Sequence, residues 1–116
     1  MGESNTQNLT RKTISAVIIT KNEDTMIANC IACLSFADEV IVIDSGSHDN
    51  TVEIAKREGA KVVTTNEGTF KDWRNLGFEH AASDWILYID ADERVTPKLA
   101  SEIEYTISLT PNSALS

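Results

Sequence analysis

Apolar residues in this chain fall into two kinds of pattern. Short, largely apolar runs at Ser15–Ile19, Val40–Ile43, Val62–Val63 and Trp85–Ile89 alternate with stretches whose apolar positions recur every three or four residues. The first two runs are rich in β-branched residues and apolar at consecutive positions, as strands buried on both faces require. Val62–Val63 is the shortest. Between the runs, Ile27, Ile31 and Leu34 share one helical face, which predicts a helix from about Asp24 to Ser35. Val52 and Ala55 begin a second helix that Gly59 stops. Trp73, Gly77 and Ala81 space a third, with Gly77 a weak helix former. Thr96 as N-cap and Pro97 in the first turn open a fourth, along which Leu99, Ile103 and Ile107 repeat. The order β-α-β-α-β-α-β-α predicts an α/β fold: a mainly parallel sheet of about four strands flanked by helices. In such sheets, ligands bind at the carboxyl ends of the strands, near the point where strand order reverses.

Composition narrows the partners. The chain has 116 residues, enough for one domain, and with 41% apolar residues it can bury a core. The pattern divides it into a polar leader over 1–12, a folded domain over 13–109 and a small, polar tail over 110–116. No run reaches the length of a transmembrane helix, and the leader lacks the apolar core of a signal peptide. The expected location is therefore cytoplasmic. A formal charge of −8 with no basic cluster excludes nucleic acid as the main partner. It also means that any phosphorylated ligand needs a cation or local dipoles to hold it. Cys30 and Cys33 form a C-x-x-C pair well inside the first predicted helix, whereas a redox pair sits at a helix N-terminus. His48 and His80 fall in other elements, so the expected role of the cysteines is packing.

Three of the runs deliver polar groups to one edge of the predicted sheet. The first ends in Thr20-Lys21-Asn22-Glu23, the second in Asp44-Ser45-Gly46-Ser47-His48-Asp49-Asn50-Thr51, and the fourth in Asp90-Ala91-Asp92-Glu93. Some of these have local duties. Ser47 or Asp49 is expected to cap the second helix, and Gly46 to supply a turn. Asp44 follows four apolar residues and should stand half-shielded at the edge, suited to accepting a hydrogen bond from the ring N–H of a base. In an extended segment Asp90 and Asp92 point the same way. Two adjacent carboxylates repel, and a divalent cation relieves this; Mg2+ takes one or two carboxylates, with waters and phosphate oxygens completing its shell.

Together these segments resemble the family 2 glycosyltransferases of the GT-A fold. The matching pieces are Thr20-Lys21-Asn22-Glu23, Val42-Ile43-Asp44-Ser45-Gly46-Ser47 with Asp49 and Thr51, Arg74-Asn75-Leu76-Gly77 as an R-N-x-G segment, and Asp90-Ala91-Asp92 as D-x-D. Glu93-Arg94-Val95, with Trp85 ahead of the strand, looks like the branch of lipopolysaccharide-core glucosyltransferases. The resemblance implies a Rossmann-like half that binds a nucleotide-diphosphate sugar, with Mg2+ or Mn2+ as cofactor. It implies nucleotide contacts for Thr20, Asn22 and Glu23, base recognition by Asp44, and an approach of Arg74 to base and phosphates. Asp90 would lie near ribose and metal, and Asp92 would bind the cation.

In that family a second half binds the glycan or lipid-linked acceptor and carries the general base. The base is expected outside this chain, since Glu102 and Glu104 fall on positions expected to face solvent. The chain is thus expected to be the donor-binding portion, acting in the full-length enzyme at the inner face of the membrane. An incomplete fold exposes apolar surface, which makes a homodimer one expected state. Rival readings are a non-catalytic sugar-nucleotide-binding module, a receiver domain phosphorylated on Asp44, and a sugar nucleotidyltransferase. The receiver needs an acidic pair after the first strand and a fifth strand carrying lysine, whereas the first strand here ends in Thr20-Lys21-Asn22-Glu23 and four strands are visible. The nucleotidyltransferase needs a glycine-rich loop after the first strand, and none follows Ile19.

Overall fold

A computed structural model gives the fold of residues 12–109. The expected leader, Lys12 apart, and the expected tail lie outside the described residues. The elements run β1 (Ile14–Thr20), α1 (Ile27–Ala32), β2 (Glu39–Asp44), α2 (Thr51–Arg57), β3 (Lys61–Thr64), α3 (Phe70–His80), β4 (Trp85–Asp90) and α4 (Pro97–Leu109). The strands form one sheet in the order β3-β2-β1-β4, and every pairing is parallel. Chain order therefore reverses at β1, the central strand. Its last residues align there with the ends of both neighbours: Thr20 stands opposite Asp44, and Ile19 opposite Asp90.

Consecutive apolar residues let the central strands bury both faces. On one face Ala16, Ile18, Val42 and Ile89 meet Ile27, Cys30, Ile31 and Leu34, then Ala55 of α2 and Ala91 and Val95 beyond β4. On the other, Val17, Ile41 and Ile43 meet Trp73 and Leu76 of α3. Each fully buried aliphatic side chain contributes about 1.5–3 kcal/mol, which makes these two layers the main source of stability. Helix α3 comes unusually close to the sheet. A Cβ at Gly77 would lie 2.6 Å from Val17 Cγ1, so the poor helix former is what allows the contact.

Two local expectations are corrected, and the third helix gains a defined start. The first helix is only Ile27–Ala32; Met26 and Leu34 are held by three-residue turns to Glu23 and Ile31, so the apolar spacing outruns the regular helix. The third helix, for which the spacing set no start, opens at Phe70, because Thr69 and Asp72 form a reciprocal capping box. Neither Ser47 nor Asp49 is the N-cap of α2. That position is Asn50, whose side chain makes no capping bond, while Asp49 accepts from the Thr51 N–H at 3.0 Å. The other signals hold. Gly59 follows α2 with φ of 92°, and Thr96 Oγ1 accepts from Leu99 N at 3.1 Å to open α4. On α4, Ile107 is buried but Leu99 is 41% exposed. No helix among the described residues is long and apolar enough to cross a membrane.

Candidate functional site

The loops after β1 and β2 are braced against each other. Asn22 adopts φ of 56°, a left-handed conformation that asparagine tolerates better than most residues. This turn presents its backbone N–H to Ser47 Oγ at 2.7 Å, while its Oδ1 accepts from the His48 N–H at 2.8 Å. Farther along, the Glu23 N–H donates to Thr51 Oγ1 at 2.9 Å and the Asp24 N–H to Asp49 Oδ2 at 3.2 Å. Thr51 is fully buried and its hydroxyl donates to Asp49 Oδ1. That bond is the main reason the Asp49 carboxyl is held below its ordinary pKa. Sequence reasoning gave Thr51 no such role, and no local pattern announces its link to Glu23, which lies in the other loop.

Asp44 is 2% exposed and closely held. Its Oδ2 accepts from the N–H groups of Gly46 and Ser47 at 3.2 and 2.9 Å, and Oδ1 accepts the Ser47 hydroxyl. A carboxylate offers about four lone-pair sites, so one direction on Oδ1 stays open to a ligand. Beside it lies a cleft of about 340 Å³ lined by Gly46, Ser47, Val52, Thr64, Thr65 and Asn66.

Between this carboxylate and β4 lies Thr20, 4% exposed, whose Oγ1 is buried and has no hydrogen-bond partner among the described residues. A buried hydroxyl without a partner costs about 1–3 kcal/mol, so the position favours a ligand that supplies one.

At the end of β4, Asp90 and Asp92 are exposed and flank the buried Ala91. Asp92 lies in a turn, so the strand does not continue through the pair as the sequence suggests. The alternation of exposure survives because Ala91 is anchored in the core. No hydrogen bond among the described residues engages either carboxylate, in contrast to Asp44 and Asp49. Nor do three or more His, Cys, Asp or Glu residues gather at a single point among the described residues. The donor set therefore suits a hard cation that draws its remaining oxygens from ligand and water.

Arg74 stands apart from this group. It is exposed on α3, with its guanidinium 4.6 Å above the Tyr88 ring, and the Tyr88 hydroxyl donates to its carbonyl at 3.1 Å. The hollow beside it, lined by Phe70, Lys71, Asn75, Phe78 and Tyr88, adjoins a smaller one at Asp90 and Glu93 through Phe70 and Tyr88. The structure thus brings Thr20, Asn22, Glu23 and Asp44 together, sets Asp90 and Asp92 beside them, and leaves Arg74 one hollow away.

A parallel sheet whose order reverses at an interior strand, flanked by helices, defines a domain of the open α/β class. The profile of Glycosyl transferase family 2 matches residues 15–108, and the chain belongs to that family. It is 46% identical over 100 residues to an uncharacterized glycosyltransferase of Rickettsia conorii, covering 85% of this chain and 35% of that protein. A second, from Rickettsia bellii, is 47% identical over 98 residues, covering 84% and 33%. The chain spans about a third of the length of the curated relatives it matches.

Among solved structures, mannosyl-3-phosphoglycerate synthase from Rubrobacter xylanophilus has the same fold, with a TM-score of 0.75 at 24% identity over 93% of this chain and 39% of that one. Glucosyl-3-phosphoglycerate synthase from Mycobacterium tuberculosis, in complex with Mn2+, uridine diphosphate and glucosyl-3-phosphoglycerate, has a TM-score of 0.59 at 31% identity, covering 72% and 36%.

Proposed function

We propose that this chain is the donor-binding portion of an enzyme that transfers a sugar from a nucleotide-diphosphate sugar, with uridine as the base, to an acceptor such as a cell-envelope glycan. The observation that carries the reading is the division of labour at the sheet edge. Asp44 is oriented by its own loop, Thr20 holds an unpartnered hydroxyl, and Asp90 and Asp92 keep both carboxylates uncommitted.

Membership of the family supports sugar transfer, and the Mycobacterium tuberculosis relative, solved with Mn2+ and uridine diphosphate, supports a metal-bound diphosphate. In this reading the free direction on Asp44 Oδ1 accepts the base N–H, and the β1–α1 turn, with Thr20, Asn22 and Glu23, lines the nucleoside. Asp90 and Asp92 hold Mg2+ or Mn2+, which when bound neutralises charge on the diphosphate leaving group. Such a cation reconciles a chain of charge −8 with an anionic ligand. Arg74 needs a rotation off Tyr88 to reach the phosphates, so its part is secondary. Acceptor binding and deprotonation belong to the rest of the enzyme in this reading, and this chain alone is expected to transfer little sugar.

Calorimetric titration of uridine diphosphate, with and without manganese, tests the proposal. Binding should require the metal and fall at least about tenfold in Asp92→Asn, as loss of one of two charged ligands implies. Metal-independent binding that Asp92→Asn leaves untouched would rule the assignment out.

A further inference from the structure

Asp90 is held in the sheet opposite Ile19, but the loop beyond it that carries Asp92 has no strand to hold it. Asp90 is the last residue of β4, and the six that follow reach α4 without regular structure. One backbone turn, from the Glu93 N–H to the Asp90 carbonyl at 2.9 Å, and several side chains take over. The Val95 N–H donates to Cys33 Sγ at 3.2 Å, and the Cys30 thiol donates to the Asp90 carbonyl at 3.6 Å. Arg94 Nη1 donates to the carbonyls of Ala91 and Glu93 at 2.8 and 2.6 Å, and Nη2 to the carbonyl of Met26 at 3.2 Å. Glu93 Oε1 accepts the Asp90 N–H at 2.7 Å. Ala91 and Val95 are buried in the same layer as Cys30.

The loop is thus fastened from below by two thiols of the α1 region and from the side by one guanidinium. The two carboxylates it exposes are given no support of their own. Two like charges on a short, unpaired loop would otherwise push it open. A site that binds a cation through only two carboxylates depends on their separation being fixed before the cation arrives.

We propose that Cys33 and Arg94 are positioning residues that hold the Asp90–Asp92 loop in its metal-binding shape, so that the C-x-x-C pair is a structural brace and not a redox couple. The inference rests on the donor-site reading above for its metal, and on the hydrogen bonds alone for the brace. Both cysteines are free thiols, and Cys30 is completely buried, which agrees with a brace.

The test uses Cys33→Ala, Cys33→Ser and Arg94→Ala beside wild type, with two readouts. Amide hydrogen exchange over 91–95 reports the shape of the loop, and uridine diphosphate titration with and without manganese reports the metal. In Cys33→Ala and Arg94→Ala, exchange should accelerate over 91–95 alone. The gain in affinity that manganese confers should fall by about 10- to 100-fold, as when the outer support of a metal ligand is lost. Cys33→Ser retains an acceptor for the Val95 N–H and should recover much of both. Unchanged exchange over 91–95 in both truncations overturns the proposal, as does faster exchange spread evenly through the chain, which would mean simple destabilisation. If wild type ignores manganese, the donor-site reading falls; the exchange result still decides whether the brace exists.

Discussion

Carboxylates, hydroxyls and thiols at this sheet edge differ less in identity than in what they already hold. Asp44 and Asp49 accept hydrogen bonds from their own loops, whereas Asp90 and Asp92 accept none among the described residues. The same reasoning separates the cysteines. Cys30 lies in the core, and burial, its largest influence, with the neighbouring Cys33 next, pushes its thiol up from 9.0 to about 11. The thiolate is the reactive species, so at pH 8 only about one Cys30 in a thousand is reactive. Iodoacetamide on the native protein should therefore label the half-buried Cys33 well before Cys30, with the two converging in denaturant; peptide mass spectrometry reads the order. Equal rates in the native state would show that Cys30 is neither buried nor raised. Residue identities told part of this in advance. Asp44 follows four apolar residues, which marks it as shielded, but nothing in the sequence says that Ser47 and Gly46 would occupy most of its oxygens. Thr51 and Arg94 were equally silent about their long-range links, which reach Glu23, 28 residues away, and Met26, 68 residues away.

At the scale of elements, patterns confined to one segment were legible, and those that depend on a partner segment were not. Short apolar runs marked β1, β2 and β4, the first two rich in β-branched residues, and Thr96-Pro97 marked the start of α4, because each is satisfied within its own stretch. The first helix was overestimated since Ile27, Ile31 and Leu34 keep their spacing while the backbone passes into tighter turns. Gly77 marks the same limit: within α3 it looks like a weakness, yet its value lies in Val17 on another strand. Gly77→Ala puts two effects in opposition. Helix propensity favours alanine by about 1 kcal/mol, while overpacking costs about 1–3 kcal/mol. The clash should win, because Val17 is fully buried in a strand paired on both sides and the new Cβ would lie 2.6 Å from its methyl group. Chemical denaturation should show a net loss of up to about 2 kcal/mol, restored in part by adding Val17→Ala. A stabilised Gly77→Ala would mean that α3 can lift off the sheet without cost.

At the scale of the whole molecule, carboxylates at the two ends of the sheet do different work. At the carboxyl end two carboxylates stay uncommitted; at the amino end they act as staples for strand starts. Asp38 accepts from the Ile14 N–H at 2.8 Å, and Asp84 from the Thr13 N–H at 3.0 Å. Glu39 Oε2 accepts from the Ser15 hydroxyl at 2.5 Å and the Ala82 N–H at 2.7 Å, joining β1, β2 and the approach to β4. Ser15 is fully buried, and its hydroxyl is the main reason the Glu39 carboxyl is held below its ordinary value of 4.5. A pKa lowered in the folded state means that the unfolded chain binds the proton more readily. The stabilisation is therefore complete above pH 4.5 and is lost as pH falls through the folded value. Glu39→Gln should cost about 1–2 kcal/mol at neutral pH, the range for hydrogen bonds to a charged, partly solvated group. Urea unfolding from pH 7 down to pH 3 should show the gap between variant and wild type narrowing below pH 4.5, as wild type protonates the same oxygen. A gap that stayed constant would assign the loss to packing at Ser15 and not to the charge.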